Sequence, residues 1–264
     1  MSDVQGRPTR SMSTERRYGI AISVALILGG LYWALTGLTD GAKSSQDSYA
    51  VHGDSLVVKG GSATVEVKPG DGTDVKVERH FSRNIFGSDP KEKYHEDGGK
   101  LELNSGGCGF LAFGCKTSYV LTVPRDLKLT VESSSGNLTL SGFEGGADLK
   151  TSSGDIAVHD VGGPLQLEAS SGDIEADGLT ATSVTSNTSS GSSSLDFTVA
   201  PQSVEAEASS GDVSIRIPSG DETYKVDTDT SSGDESATVK IDPNSTRTLK
   251  AKTSSGDVSI EYNH

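Results

Sequence analysis

The chain has 264 residues, of which 33% are hydrophobic and 5% aromatic, with 32 glycines. That composition excludes a thick core of large side chains and fits many short strands joined by turns. A formal net charge of -14 excludes a nucleic-acid partner, because phosphate binding needs clustered Lys and Arg.

Residues 1–17 form a short tail carrying Arg7, Arg10, Arg16 and Arg17. Residues 18–38, YGIAISVALILGGLYWALTGL, run for 21 positions without a charge. As a helix rising about 1.5 Å per residue, this segment crosses a hydrocarbon layer of roughly 30 Å. The basic tail predicts a cytoplasmic N-terminus, with everything beyond about residue 40 outside the membrane. Tyr32 and Trp33 fall in the outer half, where aromatic side chains anchor at the interface. A cleaved signal peptide is the competing reading; the length of the apolar run and the lack of a small-x-small site speak against it. Residues 39–49 read as a flexible linker.

Residues 50–125 read as an N-terminal β-region of five or six strands. SATVEVKPG and TDVKVERHF alternate apolar and polar residues around the turn-like PGDG, and KLELNS and SYVLTVP follow. Between them, FSRNIFGSDPKEKYHEDGG breaks the alternation and reads as a long polar loop. Cys108 and Cys115, in GGCGFLAFGCKT, read as a disulfide closing a small loop outside the cell. The spacing is not C-x-x-C, and no second ligand pair stands near, which disfavours redox or metal roles. The apolar tip GFLAF faces the domain, a membrane or a partner.

Residues 126–264 are repetitive. The glycine of each Ser-Ser-Gly falls at Gly136, Gly154, Gly172, Gly191, Gly211, Gly233 and Gly256, at intervals of 18, 18, 19, 20, 22 and 23. Seven and five residues before each marker stand residues such as Leu129 and Val131, or Leu165 and Leu167. Two and four residues after it stand residues such as Ile156 and Val158, or Val213 and Ile215; the exceptions are Ser193 and Glu235. Each flank is therefore a strand with one buried face. The offset across the marker is odd, so a straight strand would turn its buried face to solvent. The chain must bend at Ser-Ser-Gly-Asp, with glycine supplying a positive φ and Asp or Ser bonding the local backbone. A β-solenoid with rungs about 4.8 Å apart accounts best for the near-constant period and the identical corners. An antiparallel hairpin meander or sandwich has the same parity. The lengthening of the repeats is confined to the connection opposite the marker, so ligand-binding loops are expected on that side.

The sharpest site candidate is the aspartate row Asp155, Asp173, Asp212, Asp234 and Asp257. Stacked carboxylates about 5 Å apart suit weak Ca²⁺ binding. Asn137 and Ser192 occupy the same position in two repeats, so turn formation rather than charge is the shared property. The five histidines, His52, His80, His95, His159 and His264, are scattered singly, and no serine stands in a G-x-S-x-G context. No catalytic, cofactor-binding or metal-binding set emerges, and no enzymatic activity is expected.

YVLTVPRDLKLTVESSSGNLTLSGFEGGADLKTSSGDIAVHDVGGPLQLEASSGDI, with its strand ending in Val-Pro and its repeated [TA]-S-S-G-D-[IV] corners, resembles the DUF4097 family of bacterial β-strand-repeat proteins. The resemblance covers roughly residues 50–264, and the preceding membrane helix is similar to the layout of actinobacterial members. It implies a surface-exposed β-repeat domain with an adhesin role, and no catalytic residues. The expected protein is thus a single-pass membrane protein whose outer domain meets cell-wall glycan or a surface protein. The alternative is an envelope-stress or signalling accessory with an outer sensing domain.

Overall fold

The computed structural model describes residues 43–51, 53–81, 91–95, 99–104 and 117–263. The apolar segment 18–38 and the pair Cys108 and Cys115 lie outside the described residues. The N-terminal part contributes β1 (Lys43–Ala50), β2 (Ser55–Gly61), β3 (Thr64–Gly70), β4 (Asp74–Phe81), β5 (Lys91–His95), β6 (Lys100–Asn104) and β7 (Thr117–Pro124). The repeats contribute pairs of strands, one on each side of a marker glycine. These are β8 (Lys128–Ser133) with β9 (Leu138–Ser141), β10 (Ala147–Thr151) with β11 (Ile156–His159), and β12 (Leu165–Ser171) with β13 (Ile174–Leu179). They continue as β14 (Ser183–Ser190) with β15 (Ser193–Phe197) and β16 (Ser203–Ser210) with β17 (Val213–Ile217). The last two are β18 (Lys225–Thr230) with β19 (Glu235–Ala237), and β20 (Thr248–Ser255) with β21 (Val258–Tyr262).

The strands form an eleven-stranded sheet, β1-β4-β7-β3-β9-β11-β13-β15-β17-β21-β19, and a ten-stranded sheet, β18-β20-β16-β14-β12-β10-β8-β2-β6-β5. Pairing within the repeats is parallel throughout, which makes each repeat one rung of a solenoid and rules out the hairpin meander. The register follows the glycine markers residue for residue. Leu129, Ala147, Leu165, Val184, Val204, Leu249 and Val226 stand side by side in that order. On the other sheet so do Leu138, Ile156, Ile174, Ser193, Val213, Val258 and Glu235. The core is the sandwich of these inward rows, built of Leu, Ile, Val and Ala, with Tyr119, Phe143, Phe197 and Tyr224 as its largest fully buried side chains.

The stack departs from chain order at both ends. The last rung in sequence, β20–β21, inserts between β16–β17 and β18–β19, so the outermost rung is the penultimate one. At the other end, β2 and β3 pack against β8 and β9, with Leu56 beside Leu129 and Val65 beside Leu138. They form one more rung, although its corner reads Gly-Gly-Ser-Ala in place of the tetrad. The next rung outward is β6–β7; in sequence, residues 105–116 with both cysteines fall between its two strands.

Two local expectations are corrected. Residues 39–49 are not a flexible linker throughout, because β1 begins at Lys43 and pairs antiparallel with β4 over its whole length. The polar loop after Phe81 contains β5, antiparallel to β6. Both segments lack an apolar stripe, and charged partners described below hold them instead. The N-terminal region is also continuous with the repeats, since the parallel stack passes through β2–β3 without a break.

The two exceptions among the inward-register residues each find a polar partner on the facing strand. Ser193 is 1% exposed and hydrogen-bonds Ser186, itself 0% exposed, at 2.7 Å. Two buried hydroxyls that satisfy each other cost little, whereas either one alone would carry a desolvation penalty of about 1–3 kcal/mol. Glu235 receives the hydroxyl of Thr228 at 2.8 Å, across the outermost rung.

Candidate functional site

The Ser-Ser-Gly-Asp corners stack in contact. A Cβ placed on Gly154 would lie 2.3 Å from the carbonyl oxygen of Gly136, and one on Gly172 would lie 2.0 Å from that of Gly154. The column continues through Gly191, Gly211 and Gly256 to Gly233, each glycine facing the carbonyl of the rung beside it. The expected positive φ occurs at Gly211, Gly233 and Gly256, and at Gly191 in a nearly extended form, but not at Gly136, Gly154 or Gly172. The requirement common to all seven is therefore space between rungs rather than a left-handed backbone.

The aspartate row is wired into the same column. Asp155 Oδ1 accepts the N–H of Asp173 at 3.2 Å, and Asp173 Oδ1 accepts that of Ser192 at 2.8 Å. Asp212 Oδ1 accepts the N–H of Asp257, and Asp257 Oδ1 that of Asp234, each at 2.9 Å. Asn137 and Ser192 serve as acceptors in the same way, which explains why charge is dispensable there. Among the described residues, no three His, Cys, Asp or Glu side chains are arranged to hold a metal ion.

Beside this corner, the outward face of the ten-stranded sheet is hollowed along the stack. Two hollows of about 460 and 420 Å³ share Glu168 and Ser170 and together run across the rungs from β2 to β18. One wall is a file of exposed serines: Ser134, Ser152, Ser170, Ser189, Ser209, Ser254 and Ser231. The other wall alternates in charge, with Lys59 paired to Glu132 and Lys150 to Glu168, the latter at 3.1 Å. Lys250, just outside, contacts Glu205 and holds Glu207 at 2.6 Å, and Lys252 holds Asp227 at 3.2 Å. Donating a hydrogen bond to Glu168 raises the pKa of Lys150, and donating to Glu205 and Glu207 raises that of Lys250. Small residues such as Ala169, Ala208 and Thr253 form the floor. No aromatic side chain lines either hollow among the described residues. Such a surface can exchange hydrogen bonds with an extended polar chain once per rung, and it offers no stacking platform.

The sequence pattern of the family described as Toastrack DUF4097 matches residues 54–264. The chain belongs to this family. Among solved structures, this Toastrack chain is similar to a putative adhesin from Bacteroides fragilis at 10% identity and a TM-score of 0.49, covering 84% of this chain and 97% of that one. It is also similar to a putative cell adhesion protein from Clostridium sporogenes at 11% identity and a TM-score of 0.38, covering 84% and 100%. A putative lipid binding protein from Parabacteroides distasonis shares 14% identity with a TM-score of 0.41, over 86% and 98%. No curated protein matches the chain.

Parallel stacking also brings Ser141, His159 and Asp177 of the Toastrack domain side by side on the opposite sheet. His159 Nδ1 lies 2.9 Å from Asp177, but both side chains are open to solvent and no serine hydroxyl bonds the ring. His80 and His95 stand beside Glu78 and Glu102, each within its own sheet, while His52 and His264 lie outside the described residues.

At the N-terminal end of the Toastrack stack sits a polar cluster that hydrophobic patterning does not reveal. Glu92 of β5, with a side chain 2% exposed, pairs with Arg79 of β4 at 2.7 Å and accepts the Tyr49 hydroxyl at 3.1 Å. Arg79 also reaches Ser45 and Asp47 of β1, and the rings of Tyr49 and Tyr94 stand 5.4 Å apart. Only the alternation of Asp47 with Tyr49 and of Glu92 with Tyr94 signals it in the sequence. Burial, followed by the charge of Glu92, pushes Tyr49 up to about 12 from 10.0, and burial first pushes Tyr119 up to about 12 as well. Both shifts are upward, so the neutral phenols favour the folded state. Their contribution is intact below pH 10 and is lost as pH rises towards 12. Following phenolate absorbance together with circular dichroism should show these two tyrosines ionising only as the structure melts.

Proposed function

We propose that this chain is a single-pass membrane protein whose outer β-repeat domain acts in adhesion or envelope interaction, without catalysis. Residues 18–38 are the anchor, residues 1–17 are cytoplasmic, and the Toastrack domain stands outside the cell. On this reading, β1 starts five residues beyond the anchor and the stack rises from the membrane with its β18–β19 end distal. The nine steps between neighbouring strands of the ten-stranded sheet, each about 4.8 Å, give it a height of roughly 43 Å.

The observation that carries the reading is the serine-lined hollow running along the stack. Its repeated hydroxyls and paired charges suit a linear, hydroxyl-rich polymer such as a cell-wall glycan, held by hydrogen bonds rather than by aromatic stacking. The test uses the full chain in nanodiscs, co-sedimented with purified cell-wall glycan. Binding without turnover is expected, with a loss of at least tenfold when Ser189→Trp fills the hollow. Turnover would contradict the non-catalytic reading. Absence of binding to glycan would instead leave an outer sensing domain that signals through the cytoplasmic tail.

A further inference from the structure

The outermost rung, β18–β19, differs from every rung beneath it. Its inward residues include Thr228 and Glu235, where the rung below it carries Ala251 and Val258. β19 is only three residues long. Val226 and Ala237 are half-buried, and both sheets end at this rung.

Glu235 occupies this end in two ways. Its Oε2 accepts the Thr228 hydroxyl at 2.8 Å, and its Oε1 accepts the backbone N–H of Thr230 at 3.2 Å. Thr230 belongs to the edge strand, so a ladder donor that an added strand would need is already taken. A further rung would also bury the carboxylate against its apolar interior with no cation in place. Just before β18 the backbone of Tyr224 is also taken, by Lys240 and Asp242, while the marker corner remains ready for continuation. The glycine column stops at Gly233, and the aspartate ladder stops at Asp234, whose carboxylate receives no N–H among the described residues.

We propose that the distal edge of the stack is a latent interface for a second copy of this chain, and that Glu235 holds it closed. Two copies would meet edge to edge through β18 and β19, continuing both sheets. The carboxylate prevents this while satisfying the open end of its own rung.

Sedimentation velocity on the full chain in detergent tests the lock, with wild type as reference so that any association through residues 1–42 is common to all samples. Glu235→Val should self-associate at a concentration at least tenfold lower than wild type. Adding Thr228→Lys to Glu235→Val returns a charge to the same end and should restore wild-type sedimentation. A folded Glu235→Val chain that sediments as wild type overturns the proposal, and so does association that survives the added lysine. Should Glu235→Val fail to fold, Glu235→Gln, which keeps an acceptor and removes the charge, is read in the same way. Unchanged sedimentation of a folded Gln variant then overturns the proposal.

Discussion

Gly172→Ala should be among the most destabilising single substitutions in the repeats, although it adds one methyl group at a surface corner. The added Cβ would sit 2.0 Å from the Gly154 carbonyl oxygen and 2.7 Å from its carbon. Both are backbone atoms of a neighbouring rung that is itself pinned on its far side by Gly136, so no side chain can swing away. The φ of Gly172 lies outside the left-handed region, so backbone preference contributes little and the cost is steric. A cost on the order of 3 kcal/mol follows, which lowers the melting temperature by about 6–12 °C for a domain of this size. The neighbouring Ser170→Ala, on the same corner but pointing to solvent, should stay within about 0.5 kcal/mol of wild type. Thermal melts of the two variants side by side separate a packed column from a merely polar turn.

Arg79→Met should be comparably severe, with damage confined to the N-terminal end. Removing the guanidinium strips Glu92 of its ion pair while leaving its side chain 2% exposed. Uncovering one partner of a buried pair costs about 3–5 kcal/mol, whereas replacing both partners by apolar residues is often close to neutral. The double variant Arg79→Met with Glu92→Leu should therefore recover much of the loss, a coupling that additive effects cannot produce. Hydrogen exchange should accelerate in β1 and β5, whose polar side chains depend on this cluster, and remain slow in β12 to β17.

The repeats are legible in the sequence because their register is written in spacing. Inward residues expected from their distance to a marker glycine stand beside their counterparts in the next rung, from Leu129 and Ala147 to Val204 and Leu249. The β2–β3 rung escapes this pattern, although Val58 and Val65 have the same seven-residue spacing as Val131 and Leu138; the absence of Ser-Ser-Gly hides it. The order Gly211, Gly256, Gly233 is not legible, because parallel strands of similar sequence pair equally well in either order until the outer rung is distinguished. Glu235 marks that outer rung. It is visible as an exception, yet its role emerges only once Thr228 and Thr230 are seen beside it. β1 and β5 are obscured for a different reason: their stabilising contacts are polar and run through Arg79 and Glu92, two residues that hydrophobic periodicity passes over. The proposed glycan surface is not on the side where the sequence leads one to expect ligands. The lengthening connections lie opposite the markers, whereas the two adjoining hollows run beside them, where the serines are small and every rung repeats them.

Cysteine pairs at the corner serines test most directly whether the corners stack in contact, with the last rung in sequence inserted below the outermost one. Oxidative cross-linking followed by peptide mass spectrometry reads them out. Ser210 is the register partner of Ser255, and Gly256 donates to the carbonyl of Ser232 at 2.9 Å. Ser210→Cys should therefore cross-link with Ser255→Cys, and Ser255→Cys with Ser232→Cys, while Ser210→Cys with Ser232→Cys should not. Efficient cross-linking of positions 210 and 232, with none between 210 and 255, would mean a stack in simple chain order and contradict the account.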